Sequence, residues 1–463
     1  LTDFKAKTYN KTMKKELNIF FLLLCILKFL PACTQTIKET RLSQFERAGY
    51  SDLLIAKDGT YHAVFLENVS FGKPVFLYYT KSTNSGKTWS KPLTISNDGT
   101  GNGSAYARLI QDGSGVIYAI WKRFGISSSN YPIADPSLEG PGGYSIGTIY
   151  YAVLSGSNFS KPIMVADKEA MQLSWFPTLD NSGSLHIFWS QISNESYKNG
   201  WNSWYYADHL RDAKISGSSV QGVTDYNTPS KPVYPGGAPP QNGWQNLRGY
   251  FDKDGRLHFI GERLNEKVKT IYHFDGARMA GIYKYPLYQE GNTFMNPAEL
   301  LADEKGIDHV ILWPSSATLE SEQIWDYVPN TNKTNILASI QKRGLKIQSF
   351  QAHQGPNGEM AVTIQAGGLV ESNESFGVFY KNGKWTTQAL SKNASKDSFS
   401  YTEFKNFLGR NTYLATSTKH TTRFMDIKWD SSGKKQMLIT LSADWSGLGF
   451  STSNPSVIFS PID

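Results

Sequence analysis

A glycine-bearing turn recurs along this chain of 463 residues, each time between two β-type runs. The turns are Lys57-Asp58-Gly59, Gly113-Ser114-Gly115, Asn181-Ser182-Gly183, Asp254-Gly255, Glu304-Lys305-Gly306, Asn357-Gly358 and Leu408-Gly409. Asp-Gly and Asn-Gly between apolar runs are strong hairpin signals, because these residues tolerate the left-handed backbone that tight turns require. The returning runs include Tyr61-His62-Ala63-Val64-Phe65, Ile117-Tyr118-Ala119-Ile120-Trp121 and Leu185-His186-Ile187-Phe188-Trp189. By subtraction the glycines lie 56, 68, 72, 51, 52 and 51 residues apart. A unit of roughly 50 residues fits a four-stranded blade. A chain this long exceeds one ordinary compact core unless the fold is repetitive. The count predicts an all-β propeller of about seven four-stranded blades, with six as the alternative if the last unit merges with the chain ends. The two long intervals contain insertions, which read as loops on one face.

One hairpin has a sharper signature. Ser82-Thr83-Asn84-Ser85-Gly86-Lys87-Thr88-Trp89 follows the strand Val75 to Tyr79. It resembles the Asp-box, Ser-x-Asp-x-Gly-x-Thr-Trp, that marks blades of the sialidase-like (BNR-repeat) β-propeller superfamily, with Asn84 where the family has Asp. The resemblance implies a sialidase-like propeller across most of residues 45–463 and leaves the activity open.

The beginning of the chain reads differently. Met13-Lys14-Lys15 opens a positive region, Leu17 to Leu30 is apolar except for Asn18 and Lys28, and Leu30-Pro31-Ala32-Cys33 closes it. The apolar run is too short to span a bilayer and reads as an export signal over 1–32, starting at Met13. The closing residues resemble a bacterial lipobox, which implies that Cys33 is lipidated and that residues 33–45 are a spacer. Residues 46–463 then form a single propeller domain. The expected location is the cell envelope, lipid-anchored on a bacterial outer membrane, with the membrane as a partner through the lipid alone. The formal charge of +7 owes +4 to residues 1–32, where six lysines face Asp3 and Glu16. The remaining excess gives no argument for nucleic acid. A monomer is expected.

In a propeller the first strand of each blade lines the central channel, and its start points at one mouth. Stepping back about ten residues from each glycine gives Tyr50-Ser51-Asp52, Tyr106-Ala107-Arg108, Trp175, Asn246-Leu247-Arg248, Glu299, Gln351 and Tyr401-Thr402-Glu403. Aromatic faces stack on sugar C–H surfaces, and planar polar groups read hydroxyls. Tyr106, Arg108, Trp175, Asn246, Arg248, Glu299, Gln351 and Tyr401 are therefore candidate substrate-binding residues.

Gly49-Tyr50-Ser51-Asp52-Leu53 resembles the sialidase segment that carries a nucleophilic tyrosine. The resemblance implies Tyr50 as nucleophile, Glu403 as its activator, Asp52 as acid/base, and Arg47, Arg108 and Arg248 as carboxylate binders. A tyrosine needs such help because its ordinary pKa is about 10. The sialidase Arg-Ile-Pro signature is absent, and a strict exo-sialidase is not expected. The leading expectation is a surface-anchored protein that binds and cleaves an extracellular acidic glycan as a glycoside hydrolase. The alternatives are a polysaccharide lyase using Tyr106, Arg108, Asn246 and Arg248, or a non-catalytic binding propeller. The eight histidines do not cluster at ligand spacing in the sequence. No metal site and no cofactor are expected, although a structural ion stays open. His62, His186 and His258 share one place in the repeat, with His309 in a similar register, which argues for a structural role in the strand.

Overall fold

The computed structural model describes residues 40–462 apart from 43–46, 69–74, 96–103, 125–146, 166–171, 192–208, 228–243, 266–267, 287–297, 314–322, 341–345, 368–373, 390–402, 406–419, 431 and 444–455. By contacts the chain divides into a small unit, residues 1–37 with 408–410, and a large one, residues 38–407 with 411–463. The small unit, Cys33 and the export segment lie outside the described residues. Among the described residues no helix is long and apolar enough to cross a membrane.

The large unit is a succession of antiparallel four-stranded blades. A two-residue strand, β1 (Thr40–Arg41), precedes the first. Blade one is β2 (Arg47–Ile55), β3 (Tyr61–Asn68), β4 (Val75–Ser82) and β5 (Leu93–Thr94). Blade two is β6 (Ser104–Gln111), β7 (Ile117–Phe124) and β8 (Gly147–Ser155), edged by β9 (Asn158–Phe159) and β10 (Ile163–Met164). Blade three is β11 (Gln172–Leu179), β12 (Leu185–Gln191), β13 (His209–Ser216) and β14 (Ser219–Asn227). Blade four is β15 (Trp244–Phe251), β16 (Leu257–Asn265), β17 (Val268–Asp275) and β18 (Met279–Pro286). Blade five is β19 (Ala298–Ala302), β20 (Asp308–Leu312), β21 (Gln323–Val328) and β22 (Lys333–Ser339). Blade six is β23 (Lys346–Gln354), β24 (Met360–Gly367), β25 (Glu374–Lys381) and β26 (Lys384–Ala389), with β27 (Glu403–Lys405) added parallel to β26. Blade seven is β28 (His420–Trp429), β29 (Lys435–Ala443) and β30 (Ser456–Ile462), and β1 supplies its fourth strand through Thr40↔Phe459 and Arg41↔Ile458. The described residues thus form the seven blades expected.

Three expectations are corrected here. Part of the N-terminal spacer is β1, which pairs with β30 as the fourth strand beside the three that the last blade supplies among the described residues. The seventh glycine turn is Asp430 to Lys434, with Gly433 at φ +77°; Leu408-Gly409 lies outside the described residues. Consequently Glu403 is not on the inner strand of blade seven. It is on β27, the outermost strand of blade six.

The other six turn glycines sit where the sequence put them, each with φ between +72° and +93°. The turns share a further feature. In five blades an aspartate three residues before the glycine closes the turn with one carboxylate oxygen. Asp180, Asp252, Asp303 and Asp430 each accept the backbone N–H groups two and four residues on, at 2.8–3.0 Å. Asp112 accepts Val116 N at 2.9 Å and Ser114 Oγ at 2.7 Å. Short polar side chains favour turns through this local bonding. The hairpin of Ser82 to Trp89 closes in the same spirit: Ser82 Oγ accepts Gly86 N, Asn84 Oδ1 accepts Thr88 N, both at 2.9 Å, and Trp89 Nε1 donates to Gly86 O.

The core lies between blades. Val64, Leu66 and Tyr79 of blade one pack on Ala107, Leu109, Ala119 and Trp121 of blade two. Tyr118, Ile120 and Tyr151 of blade two pack on Trp175, Ile187 and Trp189 of blade three. Similar clusters join blades three to four, four to five, five to six and seven to one. Hydrogen bonds join neighbouring blades at the turn end. Lys57 N donates to Gln111 Oε1, Gly113 N to Gly183 O, Asn181 Nδ2 to Lys253 O, Gln354 Nε2 to Ala302 O, Trp429 Nε1 to Glu359 Oε2, and Tyr61 OH to Asp430 Oδ2.

Candidate functional site

The inner strands start at the end opposite the glycine turns, and six of them are bulged there. The register shifts between Gly49 and Asp52, Ala105 and Arg108, Gln172 and Trp175, Gln245 and Arg248, Ile347 and Ser349, and Thr422 and Phe424. A bulge adds a residue, twists the strand and re-aims its side chains. Most of the predicted mouth residues lie in or beside these bulges, which the sequence did not announce. Asn246 occupies the bulge of β15 at φ +48°, a backbone that asparagine adopts more readily than most residues.

Asp52 is buried and acts as a clamp between blades. Its Oδ2 accepts Leu109 N of blade two at 2.6 Å, its Oδ1 accepts Leu53 N at 3.1 Å, and Lys428 of blade seven lies 3.6 Å from Oδ1. These contacts corrupt its use as a mobile acid/base group, because they tie both oxygens to fixed donors. Trp175 is 8% exposed and packed with Ile120, Ile149 and Tyr151, so its ring is a core element and not a sugar platform. Gln351 is half-buried on β23.

Arg248 and Glu299 meet across blades four and five. Arg248 Nε donates to both carboxylate oxygens of Glu299, at 3.1 and 2.9 Å, and Nη1 donates to Leu247 O. Asn246 Nδ2 donates to Glu262 Oε2 at 2.8 Å. Two predicted sugar binders therefore satisfy each other, and a third holds a buried acid. Arg108 occupies the corresponding place on β6, four residues before its turn aspartate as Arg248 is before Asp252. It is half-buried, donates to Ala107 O at 3.1 Å, and forms no ion pair with a carboxylate among the described residues. On the adjacent strand, Lys122 corresponds to Glu262, each ten residues after the turn aspartate. Lys122 is buried, and burial pushes its ammonium down to about 8.

Register places Arg108 opposite Ile120, and Lys122 follows on the same face, toward blade three; Arg248 lies opposite Ile260, with Glu262 on the same face. One pair of positions is thus Arg and Lys in blade two, and Arg and Glu in blade four. Blade four pairs its arginine with Glu299 and its Glu262 with Asn246. Lys122 and Glu262 were missed by sequence reading. The available signal was a charged residue ending an otherwise apolar run in Ile117 to Trp121 and Leu257 to Ile260.

Arg47, Tyr50 and Tyr106 lie on inner strands as expected, and their side chains are outside the described set, as is that of Glu403. Tyr401 and Cys33 lie outside the described residues. Since β27 stands at the far edge of blade six from β23, the backbone separates Glu403 from the inner strands by the width of a blade. That placement removes the expected neighbourhood of Glu403 and Tyr50.

A second polar system occupies the turn end. The free oxygen of each turn aspartate meets the side chain six residues on: Tyr118 donates to Asp112, His186 Nε2 faces Asp180, and His258 Nε2 faces Asp252, the last two at 3.2 Å. His309 Nε2 lies 3.9 Å from Asp303. The other imidazole nitrogen points to the third strand, to Asp212 from His186 at 2.8 Å and to Asp326 from His309 at 2.9 Å. Burial opposes charge on His186, but its bonds to Asp212 and Asp180 outweigh it and raise the pKa. This agrees with the structural role expected for the repeated histidines.

No protein-family model matches the chain, and no curated protein matches it. Among solved structures it is similar to a protein of unknown function from Dyadobacter fermentans, at 10% identity and a TM-score of 0.45, covering 92% of this chain and 98% of that one. It is also similar to the α-L-arabinanase of Penicillium chrysogenum, at 12% identity and a TM-score of 0.41, covering 92% of this chain and 98% of that one. A third is the intramolecular trans-sialidase of Ruminococcus gnavus, at 10% identity and a TM-score of 0.42, covering 91% of this chain and 96% of that one.

Proposed function

We propose that this propeller is a carbohydrate-active protein that takes an acidic glycan at the channel mouth, on the side of blades two and three. One observation carries the reading: Arg108 has no carboxylate partner among the described residues, whereas its counterpart Arg248 is held by Glu299. A half-buried guanidinium suits a sugar carboxylate, because its planar fork binds two oxygens and the low local dielectric strengthens the pair. Lys122 adds positive potential behind it.

The chemistry that these residues favour is β-elimination rather than attack by a tyrosine–glutamate pair. Glu403 stands on the outer edge of blade six, so the hydrolase reading loses its activator. In elimination, a cation on the uronate carboxylate stabilises charge that develops as the C5 proton leaves. Tyr106, two residues before Arg108, is the candidate base: as its phenolate it takes the C5 proton while the C4–O bond breaks, the C4=C5 double bond forms and the departing oxygen takes a proton from water. A non-catalytic binding propeller is favoured by a different observation, the engagement of both Asp52 oxygens. Lipidation at Cys33 and display on the cell envelope complete the proposal.

The deciding experiment screens uronate-containing and neutral polysaccharides against the purified chain, following binding by calorimetry, unsaturated uronide by ultraviolet absorbance, and new reducing ends. Unsaturated product from a uronate polymer, lost in Arg108→Ala, is the expected result. Reducing ends without unsaturation would restore a hydrolase. Tight binding without product would leave a binding module. Binding of neutral glycans alone, indifferent to Arg108→Ala, would overturn the acidic-glycan reading.

A further inference from the structure

Blade four departs from its neighbours at one place in the histidine–aspartate system. In blades three and five the repeated histidine meets a carboxylate on the third strand of its own blade, Asp212 or Asp326. In blade four the third-strand position is His273, opposite Ile260 as Asp212 is opposite Phe188. The carboxylate comes instead from the next blade. Asp308, first residue of β20, receives His258 Nδ1 at 2.8 Å and His273 Nε2 at 2.7 Å on the same oxygen, Oδ2. Tyr250 OH donates to its other oxygen. The three side chains are buried, and their ligand atoms lie within 4.8 Å of one another.

We propose that His258 Nδ1, His273 Nε2 and Asp308 Oδ2 form a binding site for a divalent transition-metal ion, zinc by preference, that ties blade four to blade five. Two imidazoles and one carboxylate are a donor set suited to zinc, which binds such groups at about 2.0–2.2 Å. Tetrahedral ligands at those bond lengths sit roughly 3.3 Å apart. The hydrogen-bonded spacing therefore opens by only about half an ångström on ion entry. The far nitrogen of His258 faces Asp252 at 3.2 Å, the carboxylate–histidine arrangement that orients a metal-binding ring. Charge balance points the same way: the buried carboxylate of Asp308 and the partly buried one of Asp252 are neutralised by one dication with both imidazoles neutral. The site lies at the turn end, away from Arg108, and does not depend on the glycan reading. His258, His273 and Asp308 are distant in sequence, and only the pairing of β16 with β17 and the contact of blades four and five bring them together.

The test uses the full chain, freed of metal by chelator and titrated with Co2+ and then Zn2+. The expected result is one Co2+ per chain with the intense visible bands of four-coordinate cobalt, displaced by one Zn2+. His273→Gln, whose amide can still donate to Asp308, should weaken Co2+ binding at least 100-fold and abolish the bands while the protein stays folded by circular dichroism. Should that variant fail to fold, X-ray absorption on the zinc-loaded wild-type protein replaces it, with two imidazoles in the first shell as the expected outcome. Cobalt spectra that remain those of the hydrated ion, bands that survive His273→Gln, or a zinc shell lacking two imidazoles would each overturn the proposal and leave a hydrogen-bonded network alone.

Discussion

His62 Nε2 is buried without a hydrogen-bond partner, and the residue six positions before it is Ala56. In blades three and four that position is an aspartate, and its free oxygen takes the equivalent nitrogen. The repeat therefore contains its own deletion experiment. His186 and His258, with their aspartates, are raised above the ordinary histidine value, while burial pushes His62 down to about 4.

The sign of the resulting pH dependence follows from linkage. His62 titrates near 6.5 when unfolded and near 4 when folded. Between those values the unfolded chain takes up a proton that the folded chain refuses, so stability falls as pH drops from about 6.5 to about 4, by on the order of 3 kcal/mol. Ala56→Asp should supply the missing acceptor, raise the His62 pKa by more than one unit, and flatten that loss. Proton NMR of the imidazole together with denaturant curves at pH 4 and 7 measures both; an unchanged His62 pKa would contradict the assignment.

Arg108 and Arg248 should separate in opposite ways. Arg248→Ala leaves Glu299 without its cation in a partly buried site and should cost about 1–3 kcal/mol of stability. Arg108→Ala should leave stability within about 0.5 kcal/mol, while weakening an acidic glycan by about 2–5 kcal/mol. Thermal melts and glycan calorimetry on the two variants read this contrast.

Asp52→Asn tests whether Asp52 clamps or catalyses. An asparagine oxygen still accepts Leu109 N, so turnover should stay within a few-fold and stability should fall by about 1–2 kcal/mol, the loss of a charge-assisted bond. A thousandfold fall in kcat with normal stability would return Asp52 to the reaction.

Two turn glycines should respond unequally to alanine. Gly59 has φ +80° with nothing within 4 Å of an added Cβ, so Gly59→Ala carries only the backbone penalty, about 1–2 kcal/mol. At Gly358, with φ +72°, the Cβ would overlap Glu304 N of blade five. Gly358→Ala should therefore destabilise by several kcal/mol, in the range of strain and overpacking combined, and urea unfolding of the pair measures the difference.

The sequence by itself determined the repeat. Six glycine turns, the alternation of apolar and polar residues and the self-closing Ser82 to Trp89 hairpin are local matters, decided within a few residues by backbone sterics and short hydrogen bonds. For the same reason the structural place of His62, His186, His258 and His309 was legible from their common offset. The tertiary structure decided what local signals cannot encode. Thr40–Arg41 completes a blade whose other strands lie some 380 residues later, because an unpaired strand edge is satisfied by whichever segment the ring brings to it. Glu403 went to an outer edge because the last inner strand starts at His420. The bulges that aim Arg108 and Arg248 leave no fixed mark in the sequence. Whether an arginine is held by a carboxylate, as Arg248 is by Glu299, or bonds only a backbone carbonyl among the described residues, as Arg108 does, depends on which residue the neighbouring blade presents. The gathering of His258, His273 and Asp308 has the same origin, since ligands on three strands of two blades meet only once the blades have packed.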